Sequence, residues 1–422
     1  MKRIVLVGGG HAHVHLLKVA AGRRLPGTEL VLVSPDPRHH YSGMVPGYLE
    51  GRYAEPELSF DLTALARAAG ARFHRGTATA LSLARREVTI DAGPALAFDR
   101  VSLDIGSAPV GLHLPGVAAH AATVRPMSRA VALRDRLDLL LERRAEGPLS
   151  VAVVGAGAAG FEVALAVHRR IVQAGRSARV TLVDAGDRIL PDFSPRARAR
   201  ATRILDRTGI AVRMEARATG VTPDALLLDQ GEELASRLTV WLAGAAPPPL
   251  LAASDLPLST GGFFLVDAEL RAVAGSAELR AVAGSAVVGS AVAGSAVAGS
   301  AVADPSVTSS PVADPPVADP SVTGPPGLRP PAWGAGDCIA LEGAPWMPRA
   351  GVYAVRQSPV LARNVLTDEA PASYEPQQSF LSLMNTADGR ALLRWKGIVA
   401  HARWAWWLKD AIDRRFMARY QP

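Results

Sequence analysis

The chain has 422 residues, of which 49% are hydrophobic and 20% are charged, and its formal net charge is +7. This composition is typical of a globular protein with two or three domains and argues against an intrinsically disordered chain. The basic residues are scattered rather than gathered with aromatic residues into a stripe, which argues against nucleic-acid binding. Cys338 is the single cysteine, so an intramolecular disulfide and a redox-active cysteine pair are both excluded.

The N-terminus begins like a signal peptide, with Lys2 and Arg3 ahead of an apolar run at residues 4–7. Three glycines at residues 8–10 end this run too early for the apolar core of such a peptide. No stretch approaches the roughly 20 apolar residues of a membrane-spanning helix. The sequence therefore predicts a cytoplasmic protein, either free or peripheral on the cytoplasmic face of the membrane.

Two βαβ patterns organise the chain. Apolar runs at residues 4–7 and 30–33 flank a glycine cluster and a helical pattern. The same order returns further along, between the runs at residues 151–154 and 180–183. Repeated βαβ units predict an α/β fold with two Rossmann-like, doubly wound domains.

The first glycine cluster indicates a dinucleotide site that departs from the consensus. Gly8 would permit the tight turn after the strand, and Gly10 would let the backbone approach a pyrophosphate at the helix N-terminus. His13 stands where G-x-G-x-x-G has its third glycine. Ser34 stands where an acidic residue usually ends the second strand, and Asp36 follows two residues later.

Histidines near this cluster raise the question of a metal site. His11 and His15 are four residues apart and would share one helix face, and His39 and His40 could join them. No cysteine or closely spaced carboxylate completes a ligand set. We therefore predict no metal, and expect these histidines to pack or hydrogen-bond near a cofactor.

The second glycine cluster is a complete G-x-G-x-x-G between a predicted strand and a predicted helix. Asp184 ends the following strand, where a carboxylate accepts hydrogen bonds from both ribose hydroxyls and repels a 2′-phosphate. NADH is thus favoured over NADPH, although Arg188 lies near enough to keep NADPH open. The predicted NADH contacts are Gly155, Gly157, Ala159, Gly160 and Asp184.

Glu162 follows the last glycine of this cluster by two residues, in the first turn of the predicted helix. A carboxylate there could be only a partner of the helix dipole. It could instead face the point where a nicotinamide meets the second redox group.

A low-complexity segment interrupts the chain at residues 271–330. The string ELRAVAGSA occurs twice in tandem, at residues 269–277 and 278–286, and is followed by AVAGS, VADP and SVT repeats. Such a composition cannot bury enough apolar area to offset its ordering entropy. We predict a disordered insertion, with a partner-binding segment as the alternative.

Ordered sequence resumes with the string WGAGDC at residues 333–338. A Gly-Asp pair at the end of a strand lets the backbone approach a cofactor, with Asp337 accepting from its ribityl or ribose hydroxyls. An amphipathic helical pattern follows at about residues 352–366.

The last forty residues combine tryptophans with arginines. Trp404, Trp407, Ile412 and Phe416 recur at helical spacing among basic residues. Indole rings and cations on one helix suit a lipid–water interface. The alternative is a helix packed on the protein's own surface or on a dimer face, so that a homodimer stays open.

Several strings together resemble one protein family: LVGGGHAHV, YSGMVPG (41–47), LDIGSAP (103–109), VVGAGAAGFE, GAGDC, AGVYAVRQSPVLARN (350–364) and FLSLMNTADGRAL. They resemble the pyridine nucleotide-disulfide oxidoreductase superfamily of flavoproteins, in its type II NADH dehydrogenase-like branch. Within this branch the likeness is to the NADH dehydrogenase-like domain that is sometimes fused to selenide, water dikinase. The resemblance covers nearly everything except the insertion.

The resemblance implies that the first cluster and Asp337 hold FAD, and that the second cluster holds NADH. Tyr41 and Gln357 would be the polar groups nearest the flavin ring or an acceptor, and with Glu162 they are the catalytic candidates. The implied FAD contacts are Gly8, Gly10, His11, Ala12, Ser34, Met44, Pro46, Gly106, Asp337, Gly351 and Val352.

The resemblance also implies a discontinuous FAD domain with the NADH domain inserted in it. In type II NADH dehydrogenases a C-terminal amphipathic segment binds the bilayer, and the resemblance implies that residues 403–420 would do so here. The expected segments are FAD domain 1–115, NADH domain 116–268, insertion 269–330, FAD domain 331–368 and C-terminal cap 369–422.

The predicted function is hydride transfer from NADH to FAD and then electron transfer to a quinone or another small acceptor. Without a cysteine pair the flavin must pass its electrons on directly, and Cys338 is expected to be a small structural residue. Two alternatives stay open: an NAD(P)H-dependent reductase of a small redox protein or selenium compound, and a flavin-binding scaffold with vestigial catalysis.

Overall fold

The computed structural model describes residues 1–23, 25–143, 147–274 and 329–421. Its helices are α1 (His11–Ala21), α2 (Val45–Leu49), α3 (Leu62–Ala68), α4 (Val117–His120), α5 (Arg129–Glu142), α6 (Ala158–Gln173), α7 (Pro195–Thr208), α8 (Pro249–Ala252), α9 (Gly351–Leu366) and α10 (Arg403–Tyr420). Short 3₁₀ helices lie at Ser42–Met44, Glu55–Leu58, Asp229–Gly231 and Gly336–Cys338.

The strands are β1 (Lys2–Val7), β2 (Thr28–Ser34), β3 (Arg38–His40), β4 (Ser59–Asp61), β5 (Arg72–Arg75), β6 (Ala78–Ser82), β7 (Glu87–Ile90), β8 (Leu96–Ala97), β9 (Arg100–Leu103), β10 (Ala122–Thr123), β11 (Leu149–Val154), β12 (Ala178–Val183), β13 (Ala211–Arg213), β14 (Ala218–Val221), β15 (Ala225–Leu228), β16 (Glu233–Ala235), β17 (Leu238–Trp241), β18 (Phe264–Val266), β19 (Ala332–Gly334), β20 (Ile339–Leu341), β21 (Ser382–Asn385), β22 (Ala391–Trp395) and β23 (Ile398–Ala402).

Two parallel sheets form the centres of two domains. The first has the strand order β19-β9-β1-β2-β5, and the second has the order β10-β17-β11-β12-β13. The first βαβ strands of each domain, β1 and β11, are continuous apolar runs because helices cover both faces of a parallel sheet. The predicted fold class, two Rossmann-like doubly wound domains, is confirmed.

Helix α9 packs along α1 on the first sheet and contains Pro359 in its interior. A proline there removes the N–H that would bond the carbonyl group of Val355. The Ser358 hydroxyl donates to that carbonyl oxygen at 2.6 Å instead. The helix therefore continues through the proline and carries its N-terminus to the edge of the first sheet.

The chain contacts the first domain again after the last strand of the second sheet. Ala108 and Ala246 form a bridge between the two crossing segments, and the Ser254 hydroxyl oxygen accepts a hydrogen bond from Leu81 N at 2.9 Å. Strand β18 then pairs with β20 of the first domain. These contacts with the first domain precede residue 268, and the boundary at that residue stays a prediction.

The ordered fold also extends into the first repeat of the insertion. Leu270 is fully buried, and Arg329 forms ion pairs with Asp267 and Glu269 on the other side of the insertion. The start of the insertion at residue 269 stays a prediction. Most of the predicted disordered insertion, residues 275–328, lies outside the described residues.

Strands β21–β23 form an antiparallel sheet that continues into α10. Helix α10 returns to the first domain, where the Tyr53 hydroxyl donates to Asp410 Oδ1 at 2.5 Å and the Tyr420 hydroxyl lies 3.0 Å from His15 Nδ1. Within the described residues, no helix combines the length and the apolar character that crossing a bilayer requires.

Candidate active site

A cleft of about 1970 Å³ connects the two domains and is lined by both glycine turns. The N-terminus of α9 and one side of α10 complete its walls. Most of the predicted site residues line it: Gly8, Gly10, His11, Ser34, Tyr41, Pro46, Gly106, Asp337, Gly351 and Val352 on the first-domain side, and Gly155, Gly157, Ala159, Gly160, Glu162 and Asp184 on the second-domain side.

Three predicted contacts do not line the cleft. The backbone N–H of Ala12 is held by the carboxylate of Asp104. Met44 is buried in the core of the first domain, with 1% of its surface exposed. Gln357 is fully buried behind the cleft wall, where its Oε1 accepts a hydrogen bond from Gly336 N at 2.8 Å. Gln357 is thus placed to hold the Gly336 turn rather than to touch a substrate.

The first glycine turn is shaped by Asp104, which sequence reasoning missed. A Cβ atom at Gly8 would lie 2.3 Å from the Asp104 carbonyl oxygen, and one at Gly10 would lie 2.2 Å from its Oδ1. Asp104 Oδ2 accepts hydrogen bonds from Ala12 N at 2.7 Å and from His13 N at 3.1 Å. Gly8 is therefore required by the close approach of the Asp104 backbone carbonyl group, and Gly10 by the close approach of the Asp104 carboxyl group.

His13 occupies the position of the missing third glycine. Its Nδ1 lies 2.6 Å from the Gly8 carbonyl oxygen, which can only accept, and its Nε2 lies 2.8 Å from the Ser102 hydroxyl. Burial lowers the pKa of His13 to about 4, against the Gly8 hydrogen bond. The His13 ring is therefore neutral, and its contact with Ser102 connects helix α1 to strand β9.

His11 and His39 face the cleft with unsatisfied nitrogen atoms. Their rings meet edge to face at 4.7 Å, and neither Nε2 has a partner among the described residues although both atoms are buried. Burial lowers the pKa of His11 to about 4 and that of His39 well below its usual value. A neutral imidazole N–H is a hydrogen-bond donor, so these orphaned atoms and the glycine turn fit the pyrophosphate of FAD.

No group of three or more His, Cys, Asp or Glu side chains that could hold a metal ion occurs within the described ranges.

Ser34, at the end of β2, donates from its hydroxyl to the Asp36 carbonyl oxygen at 2.8 Å. The Asp36 carboxylate accepts from Arg38 N at 2.9 Å. These two hydrogen bonds therefore join residues within the loop that follows β2, and this loop lines the cleft.

The Gly336–Cys338 turn brings Asp337 to the cleft. Burial raises the pKa of Asp337, opposed by Arg125, whose Nη2 lies 3.9 Å from the carboxylate. Cys338 is fully buried, and burial raises the pKa of its thiol to about 12. The thiolate is therefore inaccessible at neutral pH, and Cys338 fills space in the core.

The second glycine turn has the form that a nucleotide pyrophosphate requires. Gly155 adopts φ +107°, and a Cβ atom at Gly160 would lie 1.7 Å from the Gly155 carbonyl oxygen. Asp184 closes this turn: its Oδ2 accepts from Ala156 N at 2.6 Å and its Oδ1 from Gly186 N at 2.7 Å. Its carboxylate thus lies at the end of β12, on the cleft.

Arg188 forms an exposed ion pair with Asp187 and does not line the cleft. Arg188 therefore does not place its positive charge beside Asp184 in the cleft. The position of Asp184 favours an unphosphorylated ribose, as the sequence predicts.

Glu162 projects from α6 into the cleft and is not a cap of that helix. Its Oε1 accepts a hydrogen bond from Asn385 N in strand β21 at 2.6 Å. Burial raises the pKa of Glu162 to about 7, opposed by Lys409 and by the Asn385 hydrogen bond. A carboxylic acid that titrates near neutral pH can supply or accept a proton in the cleft.

Helix α10 adds to the cleft a buried ion pair that the sequence analysis did not predict. Lys409 Nζ donates to Asp413 Oδ2 at 2.6 Å and to the Gly43 carbonyl oxygen at 2.5 Å. The Tyr41 hydroxyl donates to Asp413 Oδ1 at 3.2 Å. The i,i+4 spacing of Lys409 and Asp413 was visible in the sequence, but burial of that helix face was not.

A family model described as pyridine nucleotide-disulphide oxidoreductase matches residues 2–275. An NADH dehydrogenase-like protein of Mycobacterium tuberculosis is 30% identical over 292 residues, which cover 65% of this chain and 70% of the relative. The demethylphylloquinone reductase of Synechocystis is 25% identical over 283 residues, covering 64% of this chain and 68% of the relative.

Solved structures share the fold at low sequence identity. NDH2 of Plasmodium falciparum in complex with NADH has a TM-score of 0.73 at 12% identity, and the match covers 99% of this chain and 96% of that one. The sulfide:quinone oxidoreductase of Aquifex aeolicus has a TM-score of 0.71 at 15% identity, covering 100% of this chain and 92% of that one. At these identities the likeness establishes the arrangement of elements alone.

Proposed function

The chain belongs to the pyridine nucleotide-disulphide oxidoreductase family and is an FAD-dependent NADH dehydrogenase-like enzyme, and from this premise we propose that it passes electrons to a quinone at a membrane surface. The observation that carries this proposal is the shared cleft: one cavity contacts both glycine turns and also opens against helix α10. NADH and an acceptor can therefore both reach a flavin held between them.

FAD fits the first-domain side of the cleft and supplies the hydride and electron chemistry. The protein's own residues bind and orient it: the Gly8–Gly10 turn, His11 and His39 near the pyrophosphate, and Asp337 toward a sugar or ribityl hydroxyl. Electrons leave the flavin without a thiol relay, because Cys338 is buried with a raised pKa and is the one cysteine of the chain.

An apolar surface next to the cleft supports a quinone as the acceptor. Its members are exposed apolar side chains of β22, β23, α10 and one loop, each at least 38% exposed, and we infer that they lie on one side of the molecule: Trp346, Trp395, Ile398, Trp404, Trp407, Leu408 and Ile412. Trp346 and Ile412 also line the cleft. A lipophilic quinone could therefore enter from an apolar environment without crossing bulk water.

The same surface suits peripheral membrane binding. Exposed cations, Lys396, Arg403 and Arg415, lie among its aromatic side chains. Indole rings and basic side chains together favour the interfacial region of a bilayer. The name of the Synechocystis relative, a demethylphylloquinone reductase, supports the same class of acceptor.

Reduction of a quinone to a quinol also requires protons. Glu162 is placed in the cleft with a pKa near 7, and the Lys409–Asp413 pair with Tyr41 forms the adjoining polar wall. We assign Glu162 as the proton-donating group, and the Lys409–Asp413 pair as the element that holds Tyr41 and the loop at Gly43.

The direct test is anaerobic addition of NADH to the purified protein while flavin absorbance is recorded, followed by a soluble quinone analogue. We expect NADH to bleach the flavin and the quinone analogue to restore its absorbance. Bleaching without reoxidation by quinones would contradict the quinone proposal and favour a reductase of a small redox protein or selenium compound. No bleaching at all would indicate a flavin-binding scaffold.

Membrane binding is tested with lipid vesicles in a flotation assay. Replacing Trp404 and Trp407 together by serine should abolish co-flotation and leave NADH-dependent bleaching unchanged, because both side chains point away from the cleft lining. The matched control is Val172→Ser, which removes an exposed apolar side chain from α6. Equal flotation of the wild type and the double variant would contradict membrane docking through α10.

A further inference from the structure

Asp104 ends strand β9 and caps helix α1. The N-cap residue of α1, Gly10, has no side chain to offer. Asp104 Oδ2 takes its place and accepts from the N–H groups of Ala12 and His13 in the first helical turn. Asp104 is 4% exposed, and it also lines the cleft.

This capping interaction uses the groups that a dinucleotide needs. In a βαβ nucleotide site, N–H groups at the start of the first helix hold the pyrophosphate. In this chain a carboxylate already holds two of them. A pyrophosphate and an ionised carboxylate would therefore share one buried helix end, where like charges repel more strongly than in water.

The surroundings of Asp104 offer little to offset that repulsion. Helix α1 contributes the neutral His13 ring, the turn at Gly336 contributes Asp337 and Cys338, and α9 contributes the uncharged Ala354. No cation is among the groups that act on Asp104 within the described residues. Burial raises the pKa of Asp104 to about 7, opposed by the two amide hydrogen bonds, and the charge of Asp337 raises it further.

The histidines and the cysteine at this end of the cleft do not change charge near neutral pH. Burial lowers the pKa of His11 and that of His13 to about 4, and burial raises the pKa of Cys338 to about 12. Asp337 interacts with Arg125 and Arg349, which oppose the effect of its burial. Asp104, whose pKa lies at about 7, is the carboxyl group that accepts hydrogen bonds from this helix end.

We propose that FAD binding is coupled to protonation of Asp104: the carboxyl group takes up one proton when the cofactor binds, which removes the negative charge from the helix end that the pyrophosphate needs. Asp104 is then a positioning residue in the free protein, where it holds the turn in shape, and a determinant of FAD affinity in the complex. The proposal rests on FAD binding and not on the identity of the acceptor.

The sign of the pH dependence follows from linkage. In the free protein Asp104 loses its proton as the pH rises through about 7, whereas in the complex it keeps the proton to higher pH. Between these two values FAD binding takes up a proton, so the Kd for FAD rises about tenfold per pH unit. Below about pH 6 both states are protonated and the Kd should be flat.

The experiment removes FAD from the full-length protein and titrates the apoprotein with FAD between about pH 5.5 and about pH 8.5, following flavin fluorescence. Calorimetry at about pH 8 in two buffers of different ionisation enthalpy counts the protons taken up, and we expect about one per FAD. This count uses the wild-type chain and does not depend on whether a variant folds. No proton uptake at that pH would overturn the proposal.

Asp104→Asn provides the second arm, because an amide oxygen can still cap the helix but carries no charge. We expect its Kd for FAD to be independent of pH and to match that of the wild type at about pH 6. Glu162→Gln is the matched control, since Glu162 also has a pKa near 7 and lies in the same cleft; it should keep the wild-type slope. A slope that persists in Asp104→Asn, or that disappears in Glu162→Gln, would contradict the assignment.

Because neither arm uses NADH or a quinone, failure of this inference is distinguishable from failure of the quinone proposal.

Discussion

Glu162 receives one backbone hydrogen bond, from Asn385, and its ionisation is dominated by burial. Its acid form is populated below about pH 7 and is lost above it. If Glu162 donates a proton to the quinone, the rate of quinone reduction falls as the pH rises through about 7. This fall in rate with rising pH, the alkaline limb of the pH profile, distinguishes a proton donor from a residue that only shapes the cleft.

Glu162→Gln should therefore lower kcat for a quinone analogue by about 100-fold at pH values below 7 and remove the limb, which is the usual size of a general-acid contribution. The measurement is steady-state turnover across pH. The control is Glu142→Gln, at the exposed C-terminal end of α5, which should leave the profile unchanged. An unchanged limb in Glu162→Gln would show that another group donates the proton.

Asp184 combines two tasks, because its carboxylate both holds the glycine turn and lies where a ribose would bind. Asp184→Arg removes the repulsion toward a 2′-phosphate and adds a cation. We expect kcat/KM for NADH to fall about 100-fold, and that for NADPH to fall much less, since a lost charged hydrogen bond costs about 1.5–3 kcal/mol.

The measurement for this exchange is the rate of flavin reduction by each nucleotide. Asp187→Arg changes the charge by the same amount three residues along, outside the cleft, and should leave the ratio of the two nucleotides as in the wild type. Equal losses for NADH and NADPH in Asp184→Arg would contradict the assignment of the nicotinamide nucleotide site.

At the residue scale, sequence reasoning identified side chains whose motif fixes their position and missed those whose partners are distant in sequence. Gly155, Gly160 and Asp184 follow from local turn geometry, and they line the cleft. Asp104 contacts a turn some ninety positions away in the chain. No spacing rule connects such residues, because their contact exists only once β9 and β1 have paired.

Helix α10 has one buried and one exposed face. One face buries Lys409 and Asp413 against the first domain, and the other exposes Trp404 and Trp407. The sequence predicts a helix here from its apolar spacing, but it does not tell which polar side chains are buried. The burial of Lys409 and Asp413 depends on contacts with Tyr41 and the Gly43 carbonyl group, which lie far away along the chain.

Breaking the buried ion pair of α10 tests how firmly this helix is attached. Lys409→Met leaves the Asp413 carboxylate buried without its cation, and removal of one partner of such a pair costs about 3–5 kcal/mol. We expect the free energy of unfolding, measured by urea denaturation, to fall by about this amount. The double variant Lys409→Met/Asp413→Leu should recover most of the loss, because a well-packed apolar pair of similar size is often neutral.

A matched exposed pair provides the comparison for the same experiment. Arg213 and Glu232 form an ion pair on the surface of the second domain, and Arg213→Met should change stability by less than about 1 kcal/mol. If Lys409→Met were equally mild, the Lys409–Asp413 pair would be solvated in the folded protein and the polar wall of the cleft would need another explanation.

For the whole molecule, the repeats at residues 269–286 begin inside one folded unit and the chain rejoins the same unit beyond them. Arg271 donates to the carbonyl oxygens of Pro330 at 2.8 Å and Arg329 at 2.7 Å, so the two flanks of residues 275–328 are held side by side. We expect replacement of residues 275–328 by a short Gly-Ser linker to leave FAD content and quinone turnover within about twofold of the wild type, since loop length adds little to closure entropy.

The control for that deletion keeps the linker but adds Arg271→Ala, which removes the contact between the flanks and should lower the thermal midpoint. Loss of FAD from the simple deletion would show that residues 275–328 contribute to the fold or to the cofactor site.

The two-domain fold class was predictable because its central strands are long and apolar. Strands β1 and β11, with six residues each, mark both domains in the sequence. Strand β18 has three residues and is fixed by pairing with β20, so the sequence did not reveal it. Propensity cannot resolve a strand of that length, because its stability comes from the partner strand.

The two crossings between the domains meet at one point, where Ala108 and Ala246 exchange backbone hydrogen bonds at 2.9 and 2.7 Å. The second domain therefore leaves and re-enters its host through a single pair of adjacent chain segments. Such a junction allows the second domain to be exchanged for one with a different nucleotide preference while the first domain is kept unchanged. The reason is that the two chain ends of the first domain are separated only by the width of one hydrogen-bonded pair.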